Sequence, residues 1–291
     1  MQGYEALRES AAWIDLSARG RIRATGEDRV RLLHAMTTNH IEQLEPGQSC
    51  YAFFLNAQGR ILADAVILAL ADSLLIDTEP ETRVRVYEHL DKYIIADDVT
   101  LEDITGETVE IGVEGPEAEN VLGKLGSRMV MRLGPRFSIV APAAEREALI
   151  REVEAAGAQA ADAEAANTVR LELGRPRYGE DITDRYIPHE TQALSAVHFN
   201  KGCYIGQEIV ERVRSRGGVR RLLVPIEIES GRAPEPGARL LAGEKEVGEI
   251  TSAAYSPARG KVVALGYARL NEIPAGTGLS VDGSAARITA R

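Results

Sequence analysis

Apolar and polar residues alternate along this chain with two periods, and the switches between them mark the elements. Residues 5–20 carry an amphipathic pattern that predicts a short helix leading into Trp13-Ile14-Asp15-Leu16, and 20–24 (GRIRA) predict a strand. Gly26-Glu27-Asp28 reads as a turn capping a helix over 28–36, with Val30, Leu32, Leu33 and Met36 on its apolar side. Residues 50–55 (CYAFFL) and 60–70 predict two β-rich strands, with Asn56-Ala57-Gln58-Gly59 as the hairpin turn between them. Residues 73–77 predict another strand, and Pro80 suits the first turn of the helix that follows. That helix runs over roughly 80–95, where Val84, Tyr87, Leu90 and Ile94 recur at three or four, and 98–104 return as a strand.

The pattern then restarts. Residues 109–122 (VEIGVEGPEAENVL) repeat the strand, glycine, acid and helix signals of 22–33, and 137–157 repeat the strand–proline–helix order of 73–95. Two degenerate halves of one plan account for this most simply. Residues 141–166 contain twelve alanines, which predict surface helix and loop. From about 219 the texture becomes β-rich runs (222–228, 246–251, 262–268, 279–289) broken by Gly and Pro, which predict a small all-β barrel or sandwich. The expected architecture is α+β, with halves over 1–105 and 106–218 and a barrel over 219–291, the last boundary falling beside Gly217-Gly218.

Composition narrows the function. At 44% hydrophobic and 27% charged residues the chain is ordinary for a soluble globular protein, and its 291 residues suffice for two or three domains. The net charge of −10 disfavours a general nucleic-acid or acidic-membrane surface, so no direct nucleic-acid partner is expected. The longest apolar stretch, 61–71, is interrupted by Asp64 and is too short for a bilayer. The N-terminal residues lack a basic start followed by an apolar core, so the expectation is a cytoplasmic protein without a membrane partner. Cys50 and Cys203 stand alone, which removes a disulfide scaffold and any C-x-x-C site. The five histidines show no H-x-x-x-H or H-E-x-x-H spacing, so no metal site is expected, and His189 and His198 read as structural.

The densest chemistry lies in 201–208 (KGCYIGQE). Lys201 and a helix starting near Gly206 would both favour a Cys203 thiolate. The competing reading makes Cys203 a small buried hydrophobe, as most free cysteines are. Glu172, within LELG, is either paired by Arg170 or Arg175 or offers its two oxygens to the N–H groups of a flat heterocycle. Asp64, which interrupts an apolar strand, either does the same or is an edge-strand or outward-facing acid. Between 201 and 221, Lys201 and Arg212, Arg214, Arg216, Arg220 and Arg221 oppose Glu208 and Glu211, a local balance of +4 that either holds carboxylates or phosphates or forms a solvated face.

Five stretches in order resemble the YgfZ family of tetrahydrofolate-binding proteins, relatives of the glycine-cleavage T-protein. They are GEDRVRLLHAMTTNHI (26–41), AFFLNAQGRILAD (52–64), LELGRPRYGEDI (171–182), FNKGCYIGQE (199–208) and VGEITSAAYSPARGKVVALGYAR (247–269). The resemblance implies a ring of two related α+β domains and a C-terminal β-barrel around a folate, tetrahydrofolate or a derivative. It implies an accessory role in assembling or repairing iron–sulfur clusters in client enzymes, tRNA-modifying ones included, with those enzymes or cluster carriers as partners. Cys203 and Lys201 would be the functional pair. Glu172 and Tyr178 would serve the pterin end, Arg212 the glutamate tail, and Tyr204 and Gly206 the folate site. The T-protein turn GG-x-x-D-D corresponds here to 59–64, where Arg60 replaces the second glycine and Ala63 one of the two acids, so that Gly59 and Asp64 persist. That departure weighs against the alternative activity, tetrahydrofolate-dependent aminomethyl transfer.

Overall fold

A computed structural model describes residues 1–289, and among these it contains two five-stranded sheets and one closed barrel. One compact unit comprises residues 1–165 and 195–208, and another comprises 166–194 and 209–291.

The first unit opens with α1 (Tyr4–Glu9) and β1 (Ala12–Asp15). The helix expected over 5–20 therefore ends eleven residues early. Ser10 leaves helical geometry, and Trp13 and Ile14, good strand formers, pair into a sheet instead. Next come β2 (Gly20–Thr25), α2 (Arg29–Met36), β3 (Ser49–Leu55), β4 (Ile61–Ala69), β5 (Leu74–Thr78), α3 (Arg83–Asp91) and β6 (Thr100–Asp103). The strands form a sheet in the order β3-β4-β5-β2-β6. The expected hairpin joins β3 to β4. Asn56 Oδ1 accepts the backbone N–H groups of Gln58 and Arg60, and Gly59 takes φ +70°.

The repeat follows as β7 (Thr108–Glu114), α4 (Ala118–Leu122), β8 (Met129–Leu133), β9 (Arg136–Pro142), α5 (Arg146–Ala155) and β10 (Gln159–Ala160). Its sheet has the order β10-β1-β7-β9-β8, so β1, from the first expected half, pairs into the second sheet. The alanines of 141–166 are not all surface filler. Ala141, Ala156, Ala158 and Ala165 are buried, because small side chains let α5 and the chain beyond it lie close on the sheet.

Each sheet carries helices on one face. Alternation along β4 sends Ala63, Ala65 and Ile67 into a core with Leu32, Leu33 and Met36 of α2 and Val86 and Leu90 of α3. Val66 and Leu68 face the other way, onto Met131 of β8 and Val140 of β9. The two sheets thus pack on each other through their helix-free faces.

In the other unit lie the end of α6 (Ala163–Glu172), α7 (Pro188–Thr191), most of α8 (Gln207–Arg216) and the barrel of β11 (Leu222–Ile228), β12 (Arg239–Ala242), β13 (Lys245–Ser256), β14 (Lys261–Ala268), β15 (Leu279–Val281) and β16 (Ser284–Ile288). The barrel closes in the order β11-β14-β13-β12-β15-β16. The single run expected over 279–289 is a hairpin turning at Asp282-Gly283, both with positive φ. No helix among the described residues is long and apolar enough to cross a membrane.

Candidate functional site

Asp64 occupies the face of the first sheet that turns toward the second, and only 6% of it is exposed. The Tyr51 hydroxyl on β3 donates to Asp64 Oδ2 at 2.6 Å, while Oδ1 is buried and takes no hydrogen bond from the described residues. Burial, reinforced by the negative charge of Glu79, raises the Asp64 carboxyl to about 6; the Tyr51 bond and the Arg19 charge offset this only in part. Arg19 is itself committed to Asp77, at 2.8 Å, and to Glu79. Asp64 is therefore a carboxyl near half-protonation at mildly acidic pH, with one oxygen fixed by a phenol and the other open to a ligand. Beneath this cluster Arg21 is fully buried. It pairs with Glu110 at 3.3 Å and donates to the carbonyls of Ser17, Thr105 and Thr108.

The KGCYIGQE segment lies on the opposite, helix-bearing face. Ile205 packs against the α2/α3 core. Gly206 has φ +83°, and a Cβ there would stand 2.6 Å from the Asn56 carbonyl oxygen and 3.2 Å from Gly59 Cα, so only glycine lets the segment lie on the β3–β4 turn. Lys201 is buried, and its ammonium donates to the carbonyls of His34 and Thr37, the latter at 2.5 Å, at the C-terminal end of α2. It also lies 4.9 Å from the centre of the Tyr204 ring. Burial lowers its pKa to about 8. The thiol that feels the Lys201 charge is Cys50, which burial pushes up to about 12. Cys203 is exposed, which overturns the buried-hydrophobe reading. Lys201 and Asp64 consequently sit on opposite faces of β3 and β4 and do not form one constellation.

Three predicted residues belong to the other unit. Glu172, at the end of α6, accepts the Ser256 hydroxyl at 2.5 Å, and its carbonyl accepts Arg259 Nη2 at 2.6 Å. Arg170, expected as a partner of Glu172, donates to Asp181, Glu180 and Asn167. Tyr178 is buried and bridges to Ile182, whereas Arg212 is exposed on α8. Of the basic tract, Arg221 pairs with Glu190 at 3.0 Å and lies over the rings of Tyr186 and Tyr267, while Arg214 faces Glu211 at 3.6 Å.

Sequence reasoning missed Asp181, fully buried in the GED of 179–181, whose carboxylate accepts Arg170, Thr251 and Ser252 and whose carbonyl accepts the Tyr267 hydroxyl. It also missed the Tyr51, Arg19, Asp77 and Glu79 surroundings of Asp64. The available signal was an acid at an inward position on each of three apolar strands, β4, β5 and β7.

Comparison with known proteins gives two domain matches. Residues 1–134 match the GCVT N-terminal domain, and residues 221–291 match the glycine cleavage T-protein C-terminal barrel domain. The chain is 29% identical over 289 residues to an aminomethyltransferase of Rubrobacter xylanophilus, covering 91% of this chain and 77% of that protein. It is 26% identical over 302 residues to an aminomethyltransferase of Aquifex aeolicus, covering 97% and 82%. A chloroplastic protein of Arabidopsis thaliana, described only by a provisional transferase name, is 26% identical over 276 residues; 86% of this chain matches it, but the chain spans only 63% of its length. The crystal structure of the glycine cleavage aminomethyltransferase T of Bartonella henselae superposes with a TM-score of 0.87, over 99% of this chain and 87% of that one, at 22% identity.

Proposed function

We propose that this chain, whose α+β fold with a closed C-terminal barrel is the T-protein fold, binds tetrahydrofolate and works on the one-carbon unit that this cofactor carries. The observation that carries the reading is the buried Oδ1 of Asp64, an acceptor with no partner among the described residues, beside an oxygen that Tyr51 holds in place. A buried acceptor left open in this way fits a ligand that brings its own N–H group or cationic nitrogen. Bound tetrahydrofolate would supply the nitrogens on which a one-carbon unit is carried. Asp64 would hold or take a proton at Oδ1, and Tyr51 would fix the carboxyl plane. Glu172 and Tyr178 are our candidates for the pterin end and Arg212 for the glutamate tail, with Tyr204 and Gly206 assigned to the same cofactor.

Aminomethyl transfer is the reaction to test first. Purified protein, tetrahydrofolate and an aminomethylated carrier should yield ammonia and methylene-tetrahydrofolate. Asp64→Asn should lower kcat by about 100-fold or more, the usual loss when a general acid–base group is removed, with tetrahydrofolate affinity little changed. Protein that binds tetrahydrofolate but forms no product removes the transferase reading; protein that does not bind it removes the proposal.

The exposure of Cys203 favours a second reading, a folate-binding accessory for iron–sulfur cluster assembly or repair. A single thiolate falls short of the four that usually hold a cluster, so a partner protein would have to supply the others. Under this reading Cys203→Ala binds folate normally yet fails to restore iron–sulfur enzyme activity in cells lacking the protein. Full restoration would sink it.

A further inference from the structure

Three histidines from separate segments meet beside Lys201. His34 lies on the last turn of α2, His40 in the loop that follows, and His198 in the 195–206 segment. The His34 and His40 rings are 4.6 Å apart and the His40 and His198 rings 5.0 Å apart, each pair edge-on. Nδ1 of all three is buried without a hydrogen-bond partner among the described residues. Such atoms nearly always find a partner, and leaving three adjacent ones unmet is costly unless something else fills the role. Glu42 brings a carboxylate to the same place, with Oε2 at 3.8 Å from His34 Nε2. One donor atom from each of His34, His40 and Glu42 falls within 4.8 Å of the other two.

The surroundings hold these groups in position. Thr38 accepts the His198 N–H at its carbonyl, donates its hydroxyl to the Ala196 carbonyl and receives the Phe53 N–H, which pins the loop between His34 and His40 to both β3 and the 195–206 segment. Asn39 Nδ2 ties the same loop to the carbonyls of Tyr51 and Ser195, and its Oδ1 accepts the His40 N–H. The nearby positive charge is directed away, since the Lys201 ammonium is bound to two backbone carbonyls.

We propose that His34, His40 and Glu42 bind a divalent first-row transition-metal ion, with His198 as an adjacent fourth nitrogen. Two imidazoles and one carboxylate suit zinc, ferrous iron or cobalt, whereas magnesium and calcium seek oxygen ligands throughout. Ligands about 2.1 Å from such an ion lie roughly 3–3.5 Å from one another. Binding would therefore require the histidine rings and the exposed Glu42 side chain to rotate and close the present spacing to that range. The site faces the start of KGCYIGQE, because a Cβ at Gly202 would lie 3.6 Å from His34 Nε2. No motif spacing announces it, since the ligands come from a helix end, a loop and an exposed glutamate.

The test is a titration of the full-length chain, stripped with chelator, using Co²⁺ followed by its visible absorption and Zn²⁺ followed by calorimetry. Wild type should bind one equivalent and gain melting temperature. His40→Ala and Glu42→Gln should each weaken binding by about tenfold or more. Glu42→Gln, at an exposed position, should melt as wild type does without metal, which separates lost ligation from lost folding. Cys203→Ser should leave the Co²⁺ spectrum unchanged. Absence of saturable binding, equal affinity in wild type and both ligand variants, or loss of binding on Cys203→Ser alone would each overturn the proposal.

Discussion

Asp64 sits where a carboxylate is least at home, and pH should reveal it. Its folded pKa, about 6, stands above the usual carboxyl value of 3.8, so ionisation favours the unfolded chain. Stability from this group is fully present below the unfolded pKa and is lost as pH rises through the folded one. Replacing Asp64 with Asn removes that loss. The variant should be more stable than wild type by up to about 3 kcal/mol above pH 6, the advantage shrinking between pH 6 and pH 4, as denaturant melts across that range would read. A stabilised variant with lower activity is the expected signature of a group kept for function. At this scale the sequence exposed the oddity, an acid inside an apolar strand, but not its company. Tyr51 lies 13 residues away on the neighbouring strand, and Glu79 acts from a loop, so only strand pairing shows what sets the pKa. Lys201 and Cys203 illustrate the reverse error, because two neighbours in sequence proved to face different surroundings.

At the scale of elements, the 195–206 segment is a strap across α2 and the β3–β4 turn, tied down through Thr38, Asn39 and Lys201. Gly206→Ala would force a left-handed alanine onto the Asn56 carbonyl and should destabilise by about 2 kcal/mol or more, whereas Gly202→Ala, with only an ordinary contact to His34, should cost little. Thermal melts of the pair distinguish a tight approach from a merely permissive turn. Lys201→Met should cost about 2–3 kcal/mol by unpairing two buried carbonyls, with protease cleavage first appearing within 195–206. Elements with strong local signals were legible, including the Asn56–Gly59 hairpin and the helix α3, which follows a single 3-10 turn begun by Pro80. The strand at Ala12–Asp15 and the short barrel strand Arg239–Ala242 were not, since their pairing partners lie far away or their pattern spans only four residues.

At the scale of the whole molecule, the repeat of one plan was readable because strand and helix signals recur in the same order. The exchange of β1 between halves was invisible, since no local pattern tells a strand which sheet to join. The two sheets are also joined by the buried Arg21–Glu110 pair. Glu110→Ala would leave a buried guanidinium without its countercharge and should cost about 3–5 kcal/mol, measured by chemical denaturation. Replacing both residues with apolar ones of similar size should recover part of that loss, although the carbonyls that Arg21 also serves would stay unpaired.

The placement of β1 has a consequence for the order of events during synthesis. Residues 12–15 leave the ribosome almost a hundred residues ahead of 108–114, the strand they pair with, and well before 159–160 on their other side. By then β2 to β6 have all emerged and can form their own sheet, so the earliest-made strand is among the last to find its place. Until then the segment with Trp13 and Ile14 trails free from a half-built protein, available to a chaperone or to another nascent chain. Translation pauses near residue 107 would lengthen that exposure, and a pause after 160 would end it.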